Sequence, residues 1–239
     1  MSQEVIAKRS WGETCRAWLH PKAIAMLFLG ISAGLPILLI FSTLSVWLRE
    51  AGVARSAVTF FSWAALGYSF KFLWAPLVDL LPLPVLTRAL GRRRAWLLLS
   101  QLLVVSAIVW MALVDPAESQ NNLTVMALAA VMLGFSSATQ DIVIDAYRIE
   151  SAEVSLQALL AAMYIAGYRV GMLVAGAGSL FLAGYLGTTS QAYNYGAWQL
   201  TYLGMAAVMV CGVVTTLVIE EPKRGNGISN YEYSVSDYG

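Results

Sequence analysis

Four charged side chains stand in stretches that otherwise carry almost no charge: Lys71, Asp141, Asp145 and Arg169. Asp141 and Asp145 are four residues apart, so a helix places both carboxylates on one face. Carboxylates are the residue type that can carry protons through such a region, and the two basic groups suit an anionic or polar solute. Gln140 extends the acidic patch by one position, and Tyr68, Tyr164 and Tyr168 accompany the basic residues. Lys71, Gln140, Asp141, Asp145, Arg169, Tyr68 and Tyr168 are therefore candidates for substrate binding and proton coupling. The plainer alternative is structural. Asp141 or Asp145 would pair with Lys71 or Arg148 to hold helices together, and the tyrosines would serve only packing.

Other chemistries find little support. The single histidine, His20, stands beside Pro21 ahead of the first apolar run, and no Ser/His, paired-metal or HExxH arrangement occurs. Cys15 lies in a polar segment and Cys211 in an apolar one, so neither a disulfide nor a zinc or iron–sulfur site is expected. No enzyme activity, metal or organic cofactor is expected. A formal net charge of +1 offers no handle for nucleic acid, and no such partner is expected.

The elements that must position these charges are membrane helices. Apolar residues make up 59% of the 239 positions and charged ones 12%, with a mean hydropathy of +0.67. Soluble domains are about one quarter charged, so this chain cannot coat a water-facing surface. Crossing a bilayer core takes roughly 20 apolar residues. Six runs qualify: Ala23–Leu48, Ala57–Val78 interrupted by Lys71, Ala95–Val114, Leu123–Gln140 continuing through Asp145, Val154–Gly187 containing Arg169, and Ala197–Ile219. Lys71 lies eight residues from Asp79, about 12 Å along a helix, and Arg169 is again near mid-span.

The basic residues give an orientation. Lys8, Arg9, Arg16, Lys22, Arg88, Arg92, Arg93, Arg94, Arg148, Lys223 and Arg224 fall on one side of the six runs, against Arg49 and Arg55 on the other. The positive-inside rule then puts both termini in the cytoplasm. Asp79 closes the second run just before the Arg92, Arg93 and Arg94 cluster. A carboxylate is disfavoured at a helix C-terminus, so it is expected to answer to those arginines or to another helix's N-terminus, and with the arginine run it reads as a cytoplasmic gate. Gly30 and Gly34, and Gly167 and Gly171, are each four apart, which lets helix backbones pack closely. The domain layout expected is residues 1–22 as a cytoplasmic segment, with either an interfacial helix over 11–19 or a frayed polar leader there, 23–220 as the membrane bundle, and 221–239 as a polar cytoplasmic tail.

Several segments together resemble a family. They are the run from Phe41 to Gly52 (FSTLSVWLREAG), from Lys71 to Asp79 (KFLWAPLVD), from Gly91 to Arg94 (GRRR), from Ser137 to Ala146 (SATQDIVIDA) and from Gly167 to Val174 (GYRVGMLV). In combination they look like the AmpG muropeptide permeases, a branch of the major facilitator superfamily. Ala75 and Leu80 depart from the general loop motif of the superfamily and suit this branch. The resemblance covers about residues 20 to 222. It implies an all-α membrane protein whose six transmembrane helices form the N-terminal half of the fold. The implied activity is import of anhydro-muropeptides (GlcNAc-anhydroMurNAc peptides) from periplasm to cytoplasm, driven by the proton gradient, in peptidoglycan recycling and β-lactamase induction. It further implies residence in the bacterial inner membrane and a C-terminal six-helix half as partner. Import of another bulky anionic solute, siderophore or acetyl-CoA-like, and a scaffold that transports nothing are the alternatives.

Overall fold

The structure, a computed structural model, describes residues 18–222 except 55–60, 62 and 153. Eight helices order the description: α1 (Pro21–Glu50), α2 (Ala64–Ser69), α3 (Ala75–Leu80), α4 (Leu86–Leu90), α5 (Arg92–Ala112), α6 (Gln120–Ser151), α7 (Val154–Tyr185) and α8 (Tyr195–Val218). Five of them, α1 and α5 to α8, are long and apolar enough to cross a membrane.

α1 begins at Pro21, two residues before the expected limit. Its N-cap His20 accepts from the Lys22 amide at 3.2 Å, and Pro21 needs no partner in the first turn. Gly52, at φ +75°, follows its last turn. Ser119 and Asn194 cap α6 and α8, accepting from the amides of Asn122 and Ala197. Of the interfacial helix expected over 11–19, residues 11–17 lie outside the described residues; Trp18 and Leu19 are exposed.

The second expected span is not one continuous helix. Its described part runs through α2, a 3₁₀ turn at Lys71–Leu73 and α3. Pro76 lacks an amide proton, so α3 starts afresh there instead of continuing from α2.

α1 and α7 run side by side in the same direction, and their glycines set the separation. A Cβ on Gly30 or Gly34 would strike the backbone of Tyr164 or Tyr168, and one on Gly167 or Gly171 the backbone carbonyls of Leu27 or Ile31. The two glycine pairs thus face each other, which their sequence spacing alone could not establish. A third close approach joins α2 to α6, where a Cβ on Gly67 would stand 2.9 Å from Gly134. α5 packs on α6 and α8, and α8 also packs on α1. One apolar core gathers Leu44, Trp47, Met111, Met126, Trp198 and Tyr202; another, toward the arginine-rich end, gathers Met26, Val78, Leu97, Val143 and Tyr147.

Candidate functional site

The carboxylates of α6 meet the polar stripe of α7 in an open cavity of about 470 Å³, lined by Asp141, Asp145, Tyr164, Ile165, Tyr168, Arg169 and Met172. Helical spacing explains both walls. Asp141 and Asp145 are one turn apart, and Ile165, Arg169 and Met172 follow the i, i+4, i+7 pattern. The glycine contacts with α1 hold the backbone at Tyr164 and Tyr168, which fixes where their rings leave the helix. The Tyr164 hydroxyl donates to Asp141 Oδ1 at 3.3 Å, and the Tyr164 and Tyr168 rings are 6.0 Å apart. Arg148 Nη2 lies 3.5 Å from Asp145 Oδ1, one turn along α6. Two carboxylates, a guanidinium and two phenols make an amphoteric wall. Such a wall can meet a solute carrying carboxylate, amide and hydroxyl groups.

Three of the candidates stand elsewhere. Tyr68, on α2, shares a 2.7 Å hydrogen bond with Ser137 of α6 and lies outside the cavity lining. Lys71 sits in the 3₁₀ turn and forms no ion pair among the described residues. Gln140 faces α1, fully buried, and donates to Ser32 Oγ of that helix at 3.0 Å. On an α-helix consecutive side chains point about 100° apart, so Gln140 and Asp141 cannot share a wall. Sequence reading grouped them because it followed adjacency instead of facing. Ile165 and Met172 were missed because nothing separates an apolar cavity residue from an apolar lipid-facing one in sequence.

At the arginine-rich end the charges form a network. Arg93 Nη1 donates to Asp79 Oδ1 at 2.5 Å, and its Nε reaches both Glu150 oxygens at 3.0 Å. Arg92 bonds the Asp79 carbonyl and approaches Glu150 at 3.8 Å. Arg94 donates instead to the last carbonyls of α8, from Nε to Thr216 at 3.0 Å and from Nη2 to Leu217 at 2.7 Å. Glu221 returns the favour: its two oxygens accept from the amides of Arg93 and Arg94 at 2.8 and 3.0 Å, capping the N-terminus of α5. Gly91, at φ +89°, leaves the space that the Glu221 side chain occupies. Glu221, the first residue of the expected polar tail, is docked on α5, while 223–239 lie outside the described residues. Glu150 and Glu221 carried no sequence signal, since their partners are distant in the chain.

The opposite end is tied by neutral donors. Glu50 accepts from Thr188 Oγ1 at 2.7 Å and from the Trp198 indole at 2.9 Å. Trp47 stacks on Trp198 at 5.6 Å and donates to the Tyr193 hydroxyl at 3.1 Å. Tyr193 donates in turn to Asp115 at 2.7 Å. Burial, and then that carboxylate, push the Tyr193 phenol above its ordinary pKa, so it remains a donor at any physiological pH. Among the described residues no group of His, Cys, Asp and Glu could hold a metal ion.

Residues 23–232 match the family model described as Major Facilitator Superfamily. The chain is 38% identical over 196 residues to "Putative transporter AmpG 4" of Rickettsia felis, covering 82% of this chain and 44% of that protein. It is 37% identical over 208 residues to "Anhydromuropeptide permease" of Escherichia coli (strain K12), covering 87% of this chain and 39% of that one. It is 34% identical over 204 residues to "Putative transporter AmpG 3" of Rickettsia prowazekii, covering 84% and 45%. The chain thus spans less than half the length of these curated relatives.

Proposed function

Because the chain belongs to the Major Facilitator Superfamily, we propose that it is the N-terminal six-helix half of a secondary transporter that imports anhydro-muropeptides by proton symport. The observation that carries this reading is the cavity whose lining brings together Asp141, Asp145, Tyr164, Tyr168 and Arg169. A muropeptide presents sugar hydroxyls, amides and carboxylates, which the phenols, carboxylates and guanidinium match in kind. The name of the Escherichia coli relative, an anhydromuropeptide permease, points the same way.

In this reading Arg169 and Lys71 hold the anionic part of the solute, and Asp141, with Asp145, carries the proton. Residues 23–220 form the bundle, flanked by cytoplasmic segments at 1–22 and 221–239. The arginine-rich end, with Asp79 and Arg92 to Arg94 as a gate, faces the cytoplasm of the bacterial inner membrane. A C-terminal six-helix half supplies the other wall of the site.

The test is uptake of labelled anhydro-muropeptide into vesicles carrying this chain, alone and with a C-terminal half co-expressed. Proton-dependent uptake in the second case is expected. Its absence there defeats the importer reading, and uptake of a siderophore or acetyl-CoA in its place reassigns the solute.

A further inference from the structure

Inside the bundle, α1, α5, α6 and α8 meet at Ser32, Gln101, Gln140 and Thr216, all fully buried. The Thr216 hydroxyl donates to Gln101 Oε1 at 2.8 Å. Gln140 Nε2 donates to Ser32 Oγ at 3.0 Å, and Ser32 gives its own hydrogen to the Leu29 carbonyl at 2.8 Å. That last bond settles which way the Gln140 amide points. With its hydrogen on Leu29, Ser32 can only accept, and so it must meet the nitrogen end of Gln140. Each glutamine is left with one atom unpaired among the described residues. Gln101 Nε2 is a spare donor, and Gln140 Oε1 a spare acceptor. Buried amide groups are almost always satisfied, and leaving one unmade carries the full cost of its desolvation.

Gly212, one turn before Thr216 in α8, shows how closely these groups converge. The point where a Cβ on Gly212 would stand is 2.6 Å from Ser32 Oγ and 3.1 Å from Gln101 Nε2. The two atoms therefore flank the bare side of Gly212, within the span of two hydrogen bonds laid end to end, yet Gln101 Nε2 bonds no protein atom there. A separation of that size suits one water molecule and nothing larger. The chemistry agrees, because a bare ion of either sign would be repelled by one of the two spare atoms, whereas water both donates and accepts. It accepts from Gln101 Nε2 and donates to Gln140 Oε1 and to the remaining lone pair of Ser32 Oγ. About three bonds is the usual complement of a buried water. All the bonds then run one way, from Thr216 through Gln101, the water and Gln140 to Ser32 and the Leu29 carbonyl.

We propose that Ser32, Gln101 and Gln140 hold one buried water molecule that ties α1, α5 and α6 together, with Thr216 of α8 as the positioning residue that aims Gln101. The seat is separate from the cavity lined by Asp141 and Arg169 and stands without the transport reading. Glutamine does not titrate, so this water is a structural ligand and no part of a proton path.

The test is transfer of magnetisation from water to side-chain amides by NMR, on the full chain in lipid with isotope-labelled glutamine. Gln101→Met and Gln140→Met assign the two signals, since each deletes one. In the parent both amides should show a water signal. In Gln101→Met the water has lost its donor, and the water signal at Gln140 should fall severalfold. Should either variant fail to fold, Thr216→Val and Ser32→Ala replace them, shifting the Gln101 and Gln140 signals in turn. The proposal is overturned if either parent amide lacks the water signal or if the two amides contact each other directly in its place. A Gln140 water signal undiminished in Gln101→Met would overturn it as well.

Discussion

The Arg93 guanidinium joins Asp79, at the end of α3, to Glu150, near the end of α6, with Nη1 on Asp79 at 2.5 Å and Nε on Glu150 at 3.0 Å. One nearly buried cation therefore answers two carboxylates from different helices. Its planar fork is what permits both contacts at once. Arg93→Ala is expected to lower stability by roughly 2 kcal/mol, between a surface pair and a fully buried one, since the partners keep 46% and 35% side-chain exposure. Arg93→Lys should recover less than half of that loss, because one compact ammonium lacks the spread of nitrogens with which the guanidinium reaches Asp79 and Glu150 together. Thermal unfolding in detergent micelles checks both variants.

Gly91 and Glu221 should behave as a coupled pair. Gly91→Ala forces a side chain into φ +89°, ψ 169°, a strain of about 1–3 kcal/mol, and drives its Cβ into the Glu221 side chain. Glu221→Ala removes the cap on the Arg93 and Arg94 amides. The double variant should be less destabilised than the sum of the singles, since the second change removes the atoms the first collides with. Additive midpoints in the same unfolding assay would contradict this.

Gly34→Ala should loosen α1 from α7. The new methyl group meets the Tyr168 carbonyl, and such overpacking costs about 1–3 kcal/mol. The displaced backbone is the one from which Tyr168 enters the cavity, so solute uptake should fall together with the melting point. A variant with lower stability and unchanged uptake would separate the glycine contact from the site.

Gln140 and Asp141 are neighbours in sequence with opposite expected behaviour. Asp141→Asn should abolish uptake and leave melting almost unchanged, since its described hydrogen bond is the 3.3 Å one from Tyr164. Gln140→Leu should cost about 1–2 kcal/mol of stability, because it strips the buried Ser32 hydroxyl of its donor. Arg169→Gln and Lys71→Gln should follow Asp141→Asn. Uptake at the parental rate in all three charge variants would leave those residues as structural pairs.

The membrane helices were legible because hydropathy is a local property: Ala23–Leu48 and Ala197–Ile219 each announce themselves without reference to the rest of the chain. Facing was legible only where a period applied, as for Asp141 and Asp145. Gln140 was misplaced because a burial direction depends on the neighbouring helix, and Ser32 is more than a hundred residues away. The break at Trp74 was hidden by continuous hydropathy, although Pro76 carried the signal for it. The pairing of Gly30 and Gly34 with Gly167 and Gly171 was half visible: spacing marks a close-packing face but cannot name its mate. Glu150 and Glu221 were invisible for the same reason, since a carboxylate beside a membrane span looks alike whether it faces water or an arginine.

The seat of Glu221 on the first turn of α5 also has a mechanical meaning. Glu221, just past the end of α8, grips the Arg93 and Arg94 amides, so the end of α8 is fastened to α5. Tension applied at the C-terminus is shared between α8 and α5, and Arg93 conveys part of it to α6 through Glu150. A single-molecule pull on residue 239 should thus meet an early rupture that releases a few residues before α8 unwinds. That event should weaken in Glu221→Ala, leaving the Arg94 bonds to the Thr216 and Leu217 carbonyls and the Tyr147 bond to the Glu220 carbonyl to share the load with α8.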